Sequence, residues 1–554
     1  IDHTQCLIAV GTNPVISKMS FISLPNPMER IEAIEERGGK VYWVNPRKTE
    51  SANRAGEHVA IRPDTDVFFM LGFLHEVIER GAVDHARVAQ TMNGYEALAE
   101  VAAQWSPERV AKVTLIPAEQ LKAMVSAYLA ADGAALYCST GVNQGSAGLM
   151  VYWLQESINA ISGNLDRRGG VLAGKAVVPV SVDAGEMPRS RIADVSYVNS
   201  TIPAGIMADE ILEPGEGQVK AMFNMSGNPL LTCAGSGRLA EAFEQLELFV
   251  CIDIVRNETA EYADYILPGL HSLERADIPF YFFTVMGLMP DRTFTYTDAV
   301  LEPPGEARDE GLIFRQLCRT AGRPIAGSHV LQWLSNAGEW LGTLSSVRAD
   351  HLFFSLLART GGLGGVKKLR QSPDGIALEP NKPGDYLGQR VITASGKVEL
   401  APADLIERAR LLETRYESEL AALDDLKLIQ KRERFTHNSW AHNAAAFVKG
   451  ERNTNYLYIH PADAQARGLS DGATARVAAN GYAIEVPVRL DESFMLGTVS
   501  VPHGWGHQNA KGLSTANQTQ GANVNEIMPS GPASVEPGSG MSHMNGVVVH
   551  VSGV

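Results

Sequence analysis

The chain has 554 residues, a formal net charge of −15, 45% hydrophobic residues and 20% charged residues. This length predicts three or more domains of about 150 residues each, and the acidic balance argues against nucleic acid and anionic membranes as partners. No apolar run reaches the roughly 18 residues that a membrane span needs, and the five scattered cysteines form no Cys-x-x-Cys pair, which argues against a disulfide framework or an iron–sulfur site within this sequence.

Strands and helices alternate in the first 170 residues. CLIAVG (6–11) is typical of a short buried strand, MERIEAIEERGG (28–39) of an amphipathic helix closed by glycines, and KVYWVNPR (40–47) of the next strand. ALYCSTGVNQGSAG (135–148) predicts a further strand and loop, and MVYWLQESINAISGNL (150–165) predicts the helix behind it. Strand, loop, helix and strand in this order predict half of a doubly wound nucleotide-binding fold.

The same order recurs after residue 218. QVKAMFNMSGNP (218–229) predicts a strand and loop, RLAEAFEQLE (238–247) a helix, and LFVCIDIV (248–255) a second strand. NETAEYADYILPG (257–269) then predicts a loop followed by a short strand. We therefore expect two related α/β lobes in one chain.

The last third of the sequence no longer alternates between strands and helices. LIERARLLETRYESELAALDDL (405–426) predicts a single helix. ATARVAANGYAIEVPVRL (473–490) alternates around an Asn-Gly pair, which predicts a β-hairpin. The predicted parts are an α/β lobe at 1–185, a second α/β lobe at 186–330, an irregular and helical connection at 331–425, and a β-barrel at 426–554.

Two strand-end loops share an unusual turn, GTNP with Asn13 and SGNP with Asn228. Loops at the carboxyl ends of parallel strands bind ligands in α/β folds. Glycine lets the backbone approach a ligand closely, and asparagine supplies both a hydrogen-bond donor and an acceptor. Asp253 stands where dinucleotide folds place an acid against ribose hydroxyls, and Arg47 could meet a phosphate. Neither loop has the Gly-x-Gly-x-x-Gly pattern of ordinary NAD sites, and the alternative is that both are merely tight turns.

Nine short motifs are spread over nearly the whole chain: GTNP, VNPRKTESA, IRPDTD, GVNQGSAG, SGNLDRRGG, SGNP, DIVRNETAEYADYILPG, TASGKVEL and PHGWGH. Together they resemble the catalytic subunit of the molybdopterin oxidoreductases, the dimethyl sulfoxide reductase superfamily. NETAEYADYILP and VNPRKTESA are the most specific of them. The resemblance covers residue 1 to about residue 550.

This resemblance implies two doubly wound α/β lobes followed by a C-terminal β-barrel of the double-psi type. It also implies two molybdopterin guanine dinucleotides, one from each lobe, around one molybdenum or tungsten. The residues implied for the first dinucleotide are Gly11, Thr12, Asn13, Pro14, Asn45, Arg47, Thr49 and Asp66, with Gly141, Asn143 and Gln144 near a pterin. Those implied for the second are Gly227, Asn228, Pro229, Asp253, Glu258, Thr259 and Asp264. The barrel is expected to add His437, Asn438, Ser439, His503, Gly504, Asn523 and Asn525.

Two positions depart from the family pattern. Asn45 stands where the family often has Asp, and Asp64 where it often has Gly, so that a charge would lie beside a phosphate-rich ligand. We therefore expect Asp64 not to contact the cofactor. A protein-bound zinc at the histidines of 436–443 and 502–507 is the alternative for the barrel loops. No Cys or carboxylate joins them at zinc spacing, so we predict no metal held by the protein's own side chains.

The resemblance further implies a two-electron oxidation or reduction, or oxygen-atom transfer, on a small substrate, as in formate dehydrogenases and oxyanion or sulfoxide reductases. Electrons would pass through an iron–sulfur cluster, with an iron–sulfur or flavin electron-transfer subunit as a possible partner. The chain starts at IDHTQCLIAV, so we expect a fragment that is inactive alone, with the 4Fe–4S segment and the metal ligand upstream. We assign no catalytic residue. We expect a cytoplasmic protein, with a periplasmic location left open. The alternative function is a non-catalytic scaffold of the same fold, as in a large subunit of respiratory NADH dehydrogenase.

Overall fold

The computed structural model describes residues 1–178, 187–344 and 349–554. It contains a four-stranded parallel sheet, a three-stranded parallel sheet and, near the C-terminus, a seven-stranded sheet that is nearly closed into a barrel. These sheets confirm the predicted fold class of two α/β lobes followed by a β-barrel. The predicted boundary between the lobes, at residues 185 and 186, lies outside the described residues.

The first sheet is parallel and has four strands: β1 (Cys6–Val10), β2 (Lys40–Asn45), β3 (Glu57–Ala60) and β4 (Ala134–Cys138). Their spatial order is β3-β2-β1-β4. Every residue of β1 is buried, because helices cover both faces of the sheet. Leu7 and Ala9 face the cluster that contains the helix Pro27–Glu36, whereas Ile8 and Val10 face the helices Asp66–Glu79 and Gly148–Ile161.

The second sheet is also parallel and has three strands: β5 (Ala221–Met225), β6 (Leu248–Asp253) and β7 (Tyr265–Pro268), in that spatial order. The helix Ser236–Glu244 packs on it through Leu239 and Phe243, and the ring of Phe243 lies 4.9 Å from that of Phe249. The second lobe therefore repeats the strand, loop, helix and strand order of the first lobe.

The third sheet contains β8 (Lys427–Lys431), β9 (Leu457–Ile459), β10 (Thr474–Ala479), β11 (Tyr482–Leu490), β12 (Thr498–Pro502), β13 (Val547–Val548) and β14 (His550–Gly553). Their order is β13-β8-β12-β9-β11-β10-β14. The hairpin of β10 and β11 turns at Asn480 and Gly481, which both have positive φ, at 52° and 83°. This is the two-residue turn that the Asn-Gly pair predicts.

Outside these sheets, helices alternate with long irregular segments, and helices make up about half of the predicted connection. The predicted helix over 405–426 is instead two helices, because the chain makes a turn at 410 and 411 whose N–H groups bond three residues back. Two two-residue strand pairs also occur, Met92–Asn93 with Val398–Glu399 and Thr293–Phe294 with Ile376–Ala377. The other α-helices described are Pro14–Ser17, His85–Thr91, Tyr95–Ala102, Pro107–Thr114, Ala118–Ala130, Thr140–Asn143, Met207–Leu212, Pro229–Thr232, Glu310–Thr320, His329–Leu344, Ala349–Thr360, Val366–Arg370, Ala403–Ala409, Leu412–Ala421 and Pro461–Gln465.

A buried ionic network joins the barrel to the first lobe. The ammonium of Lys427, on β8, lies 2.7 Å from the carboxylate of Glu419 and donates to the backbone carbonyl of Pro63 at 3.0 Å. Arg415, one helical turn before Glu419, lies 2.9 Å from the carboxylate of Asp64. Charges buried in this way need partners, so the network fixes the barrel over the strand ends of the first lobe. Within the described ranges, no helix is both long and apolar enough to cross a bilayer.

Candidate functional site

A cavity of about 370 Å³ lies between the carboxyl ends of β1, β2 and β4 and the barrel. In the parallel register Val10 lies beside Val44 and Cys138, so the loops that follow these residues meet at one edge of the sheet. Many of the residues predicted from the sequence line this cavity: Gly11, Thr12, Asn13, Asn45, Arg47, Thr49, Asp66, Gly141, Gln144, Asn438, His503 and Asn525.

The loops after β1 and β4 touch through two glycines. The N–H of Gly141 donates to the carbonyl of Gly11 at 3.0 Å. Gly11 has φ +62°, and a Cβ at this position would lie 2.7 Å from the backbone nitrogen of Val142. A side chain here would therefore combine a strained backbone with a clash against backbone that cannot move aside.

Asn13 holds the first loop through both ends of its amide. Its Nδ2 donates to Glu50 Oε2 at 2.6 Å, and its Oδ1 accepts from the hydroxyl of Ser51 at 2.7 Å. The same hydroxyl oxygen accepts the N–H of Val15 at 3.1 Å. Asn45 adds a hydrogen bond from its amide to the carbonyl of Thr12 at 3.2 Å. The turn is thus fixed by the loop that follows β2.

Asn228 makes the same contacts in the second lobe. Its Nδ2 donates to Glu258 Oε2 at 2.5 Å, and its Oδ1 accepts from the hydroxyl of Thr259 at 2.8 Å. That hydroxyl oxygen accepts the N–H of Leu230 at 3.2 Å. The two lobes therefore carry one repeated hydrogen-bond motif, formed by an Asn, a Glu and a hydroxyl residue.

The two glutamates differ in their outer partners. Glu50 pairs with Arg47 at 2.9 Å. Glu258 lies 2.6 Å from Nδ1 of His507, whose Nε2 lies 2.8 Å from Nδ1 of His442. Burial, and then the neighbouring His507, lower the pKa of His442 to about 3, so His442 is neutral at physiological pH. The second lobe thus reaches into the barrel through a buried chain of Glu, His and His.

Asp64 and Asp66 lie at the same cavity wall, and their pKa values are shifted in opposite directions. Burial and the charge of Asp64 raise the pKa of Asp66 to about 7. Burial also opposes the charge of Asp64, but Arg415 and His543 outweigh it and hold the pKa of this carboxyl well below its usual range. Ser146 donates to Asp64 through its N–H at 2.8 Å and its hydroxyl at 2.7 Å. Asp64 therefore lines the cavity with a carboxylate that already contacts Arg415, His543 and Ser146.

Two polar atoms in this wall are buried and have no partner within the described protein, Thr12 Oγ1 and His503 Nδ1. Nε2 of His503 lies 3.1 Å from Asn438 Oδ1. Burial lowers the pKa of His503 to about 4, so this side chain is neutral and has one donor and one acceptor nitrogen. Unpaired buried polar atoms at a cavity wall are what a polar, ring-containing ligand would satisfy, so this wall fits a pterin dinucleotide.

Asn525, which lines the cavity, and Asn523 also contact the second lobe. Asn523 and Asn525 donate to the backbone carbonyls of Leu230 and Leu231, at 2.8 and 2.7 Å, so they tie the barrel to the second lobe. Asp253, at the end of β6, accepts N–H groups from the two following residues and the Asn257 amide. These contacts leave Asp253 at the predicted strand end but already hydrogen-bonded within its own loop.

Asp264 lies apart from the predicted second site. It precedes β7, and its carboxylate accepts the N–H of Phe249 at 2.8 Å, at the amino end of the strands. Because Asp253 is at the carboxyl end, these two residues mark opposite edges of the second sheet. The remaining predicted residues flank the loops described above: Pro14, Asn143, Gly227, Pro229, Thr259, His437, Ser439 and Gly504.

Sequence reasoning missed several residues of the site. Glu50 and Ser51 lie inside the VNPRKTESA motif, so the motif marks this loop although the sequence prediction names Thr49 and not these two residues. Asn545 donates to the carbonyl of Gly141 at 3.2 Å and accepts the N–H of Gln430 at 2.9 Å. No local sequence pattern predicts these contacts of Asn545, because they form only where the barrel packs against the first lobe. In the portion that the structure describes, no three His, Cys, Asp or Glu side chains are grouped so that they could hold a metal ion.

Comparison with known proteins agrees with this geometry. Residues 1–320 match the molybdopterin oxidoreductase family, and residues 426–548 match the molydopterin dinucleotide binding domain. The chain is 26% identical to the thiosulfate reductase molybdopterin-containing subunit PhsA of Salmonella typhimurium, over 100% of this chain and 74% of that protein. It is 24% identical to formate dehydrogenase H of Escherichia coli, over 91% of this chain and 69% of that protein.

A solved structure has the same fold. Acetylene hydratase from Pelobacter acetylenicus superposes with a TM-score of 0.79 at 20% identity, over 100% of this chain and 78% of that one. At this identity the likeness concerns the fold alone. The family match covers more than half of the chain and agrees with the motifs and with the cavity between lobe and barrel. The chain therefore belongs to the molybdopterin oxidoreductase family.

Proposed function

We propose that this chain holds two molybdopterin guanine dinucleotides, one at each lobe, around a single molybdenum or tungsten, as the catalytic subunit of an oxidoreductase. The observation that carries this proposal is the repeated motif of Asn13 with Glu50 and Ser51, and of Asn228 with Glu258 and Thr259. A protein that binds one nucleotide has no need to build the same strand-end loop twice. The match to a dinucleotide-binding domain supports a ligand of the same kind at the barrel.

Different residues of the first cavity would contact different parts of the dinucleotide. Gly11 and Gly141 bring backbone close to the ligand, and Arg47 supplies a fixed positive charge for a phosphate. The neutral ring of His503 and the hydroxyl of Thr12 offer donors and acceptors for a pterin. In the second lobe Ser226, with φ +50°, stands in the place of Gly11, and Gly227 stands in the place of Thr12. When bound, the metal and its pterins supply the two-electron chemistry, including oxygen-atom transfer, and the protein supplies position and electrostatics.

The relatives of this chain include a thiosulfate reductase subunit, a formate dehydrogenase and a biotin sulfoxide reductase. We propose a small substrate that undergoes two-electron oxidation or reduction or oxygen-atom transfer. Electrons would leave or enter through an iron–sulfur cluster, in exchange with an iron–sulfur or flavin partner subunit. The second candidate is the non-catalytic scaffold, which would keep the fold but bind neither pterin nor metal.

A metal and pterin assay on the purified chain tests the proposal. Molybdenum and tungsten are measured by mass spectrometry, and guanine nucleotide and oxidised pterin after acid release. The expected result is about two guanine nucleotides and about one metal per chain. An otherwise folded protein that carries neither, after expression in a host that makes the cofactor, would favour the scaffold.

Paired variants then assign the two sites. Gly11→Ala and Ser226→Val each alter the residue of positive φ in one strand-end loop, where a branched side chain at Ser226 is strained, and each should remove about one of the two guanine nucleotides. Gly81→Ala is the control, because Gly81 has the same φ of +62° as Gly11 but no neighbour within 4 Å of a Cβ. Loss of both nucleotides from either single variant would mean that the lobes do not bind independently.

A further inference from the structure

A second cavity, of about 260 Å³, adjoins the first. Ile16, Lys431 and Arg432 line both of them. The rest of its wall is formed mainly by the barrel segment 431–436, with Phe447 and Arg452. Because the two cavities share a wall, a small molecule in the second stands next to the proposed cofactor site.

Four cationic side chains line the second cavity: Lys431, Arg432, Arg434 and Arg452. Among the residues whose positions are described, none of the four has a salt-bridge partner. Arg434 and Arg452 are exposed, whereas Lys431 and Arg432 are partly buried. The ammonium of Lys431 lies instead 3.6 Å from the centroid of the Tyr458 ring. Without salt bridges, the four side chains give this cavity an excess of positive charge in a chain whose net charge is −15.

Two carboxylates also line this cavity but do not cancel the four cations. Glu50 is already paired with Arg47 at 2.9 Å. Glu433 is the second carboxylate, and burial raises its pKa, so two carboxylates face four cations. The field inside the cavity is therefore positive and favours an anion.

Aromatic rings form the outer rim. Phe435 and Phe447 are stacked, with ring centroids 6.5 Å apart and an interplanar angle of 25°. They remain 46% and 40% exposed. The guanidinium carbon of Arg452 lies 5.0 Å from the Phe435 ring centroid. Stacking against a ring holds an arginine in place while its N–H groups stay available.

We propose that this second cavity is a binding vestibule for a small oxyanion, which Arg434 and Arg452 capture at the rim and Arg432 and Lys431 pass to the cofactor cavity. The ligand class is a compact anion with two or more terminal oxygens, such as a sulfur oxyanion or a carboxylate. Arginine suits this class because its fork of N–H groups can bind two oxygens of one anion. The assignment of this anion as the substrate rests on the proposed function, whereas the anion site itself does not.

Calorimetric titration of the purified chain at constant ionic strength tests the vestibule. The probes are thiosulfate, benzoate and, as the neutral counterpart of benzoate, benzamide. We expect both anions to bind and benzamide not to bind. The double variant Arg434→Gln/Arg452→Gln should weaken anion binding by about 10- to 100-fold. The control Arg410→Gln/Arg476→Gln removes the same charge from exposed positions outside the cavity and should leave binding unchanged.

Several results would overturn the proposal. These are an absence of anion binding by the wild type, equal weakening in the control, and equal binding of benzamide. A further one is loss of guanine nucleotide from Arg434→Gln/Arg452→Gln, because the rim would then belong to the dinucleotide site. If the wild type binds the anions but contains no pterin, the anion site stands, while its assignment to a substrate fails together with the proposed function.

Discussion

Asn13 and Asn228 occupy the same place in the two lobes, each with its amide nitrogen on a glutamate and its amide oxygen on a hydroxyl group. The two glutamates differ in their surroundings. The side chain of Glu50 is 42% exposed and pairs with Arg47, whereas that of Glu258 is 6% exposed and contacts His507. The same hydrogen bonds are therefore partly exposed to solvent in the first lobe and buried in the second. Because of this difference, the same substitution at Asn13 and at Asn228 should change the free energy of unfolding by different amounts.

The substitution Asn228→Asp should destabilise the protein far more than Asn13→Asp. Each change replaces an N–H donor by a carboxylate oxygen that faces a glutamate. In the second lobe the repulsion is buried, and we expect a loss of about 2 kcal/mol or more in the free energy of unfolding. In the first lobe solvent and Arg47 screen it, and the loss should be about 1 kcal/mol or less. Urea unfolding of both variants, followed by tryptophan fluorescence, measures the two values, and equal losses would contradict the environmental difference.

Glu258 should make stability depend on pH. Burial opposes its charge, but the hydrogen bond and charge of His507 outweigh burial and lower the pKa of Glu258. The ionised form therefore stabilises the fold. This contribution is complete above the unfolded-state pKa of about 4.3 and disappears as the pH falls through the lower folded-state pKa.

Comparison of the wild type with Glu258→Gln isolates this effect. Glutamine keeps an oxygen for His507 but cannot carry the charge. The wild type should be more stable than the variant by on the order of 1–2 kcal/mol at pH 6, and the difference should shrink below about pH 4. Glu417→Gln, at an exposed position of the helix Leu412–Ala421, is the control. A difference that stays constant across this range would argue against an ionised Glu258.

Local sequence patterns predicted the strands and turns but not the contacts between parts of the chain. GTNP and SGNP identified the two asparagines because glycine and proline mark a turn directly. Ser51 was missed, because its role depends on a contact with a loop that lies far away in sequence. The Glu258–His507–His442 chain was missed as a unit for the same reason, although Glu258 was named. Asp264 was predicted at the cofactor because it lies inside the NETAEYADYILPG motif that carries the family resemblance, whereas the strand direction puts it at the opposite end of the sheet.

Gly11→Ala should be more damaging than Gly81→Ala, although both glycines have φ +62°. At Gly81 the added methyl group meets no atom within 4 Å, so its cost is the left-handed backbone alone, about 1–2 kcal/mol. At Gly11 the methyl would lie 2.7 Å from the backbone nitrogen of Val142, and the loops after β1 and β4 must separate. Thermal unfolding should therefore show a clearly larger decrease in midpoint for Gly11→Ala, and equal decreases would mean that this approach is not tight in solution.

Asp66 should reduce stability as the pH rises from about 4 to about 7. Burial, and then the charge of Asp64, raise its pKa to about 7, whereas an aspartate in the unfolded chain has a pKa of about 3.9. Between these values the folded protein binds one proton more than the unfolded chain, so stability falls with increasing pH and levels off above the folded-state pKa. The asparagine of Asp66→Asn cannot ionise, so the free energy of unfolding of this variant should rise relative to that of the wild type across this pH range. The difference should reach on the order of 2–4 kcal/mol at pH 8. Asp404→Asn, at an exposed position, should gain nothing. Urea unfolding at pH 5, 6, 7 and 8 measures the gain, and a gain that does not change with pH would mean that Asp66 ionises normally in the folded protein.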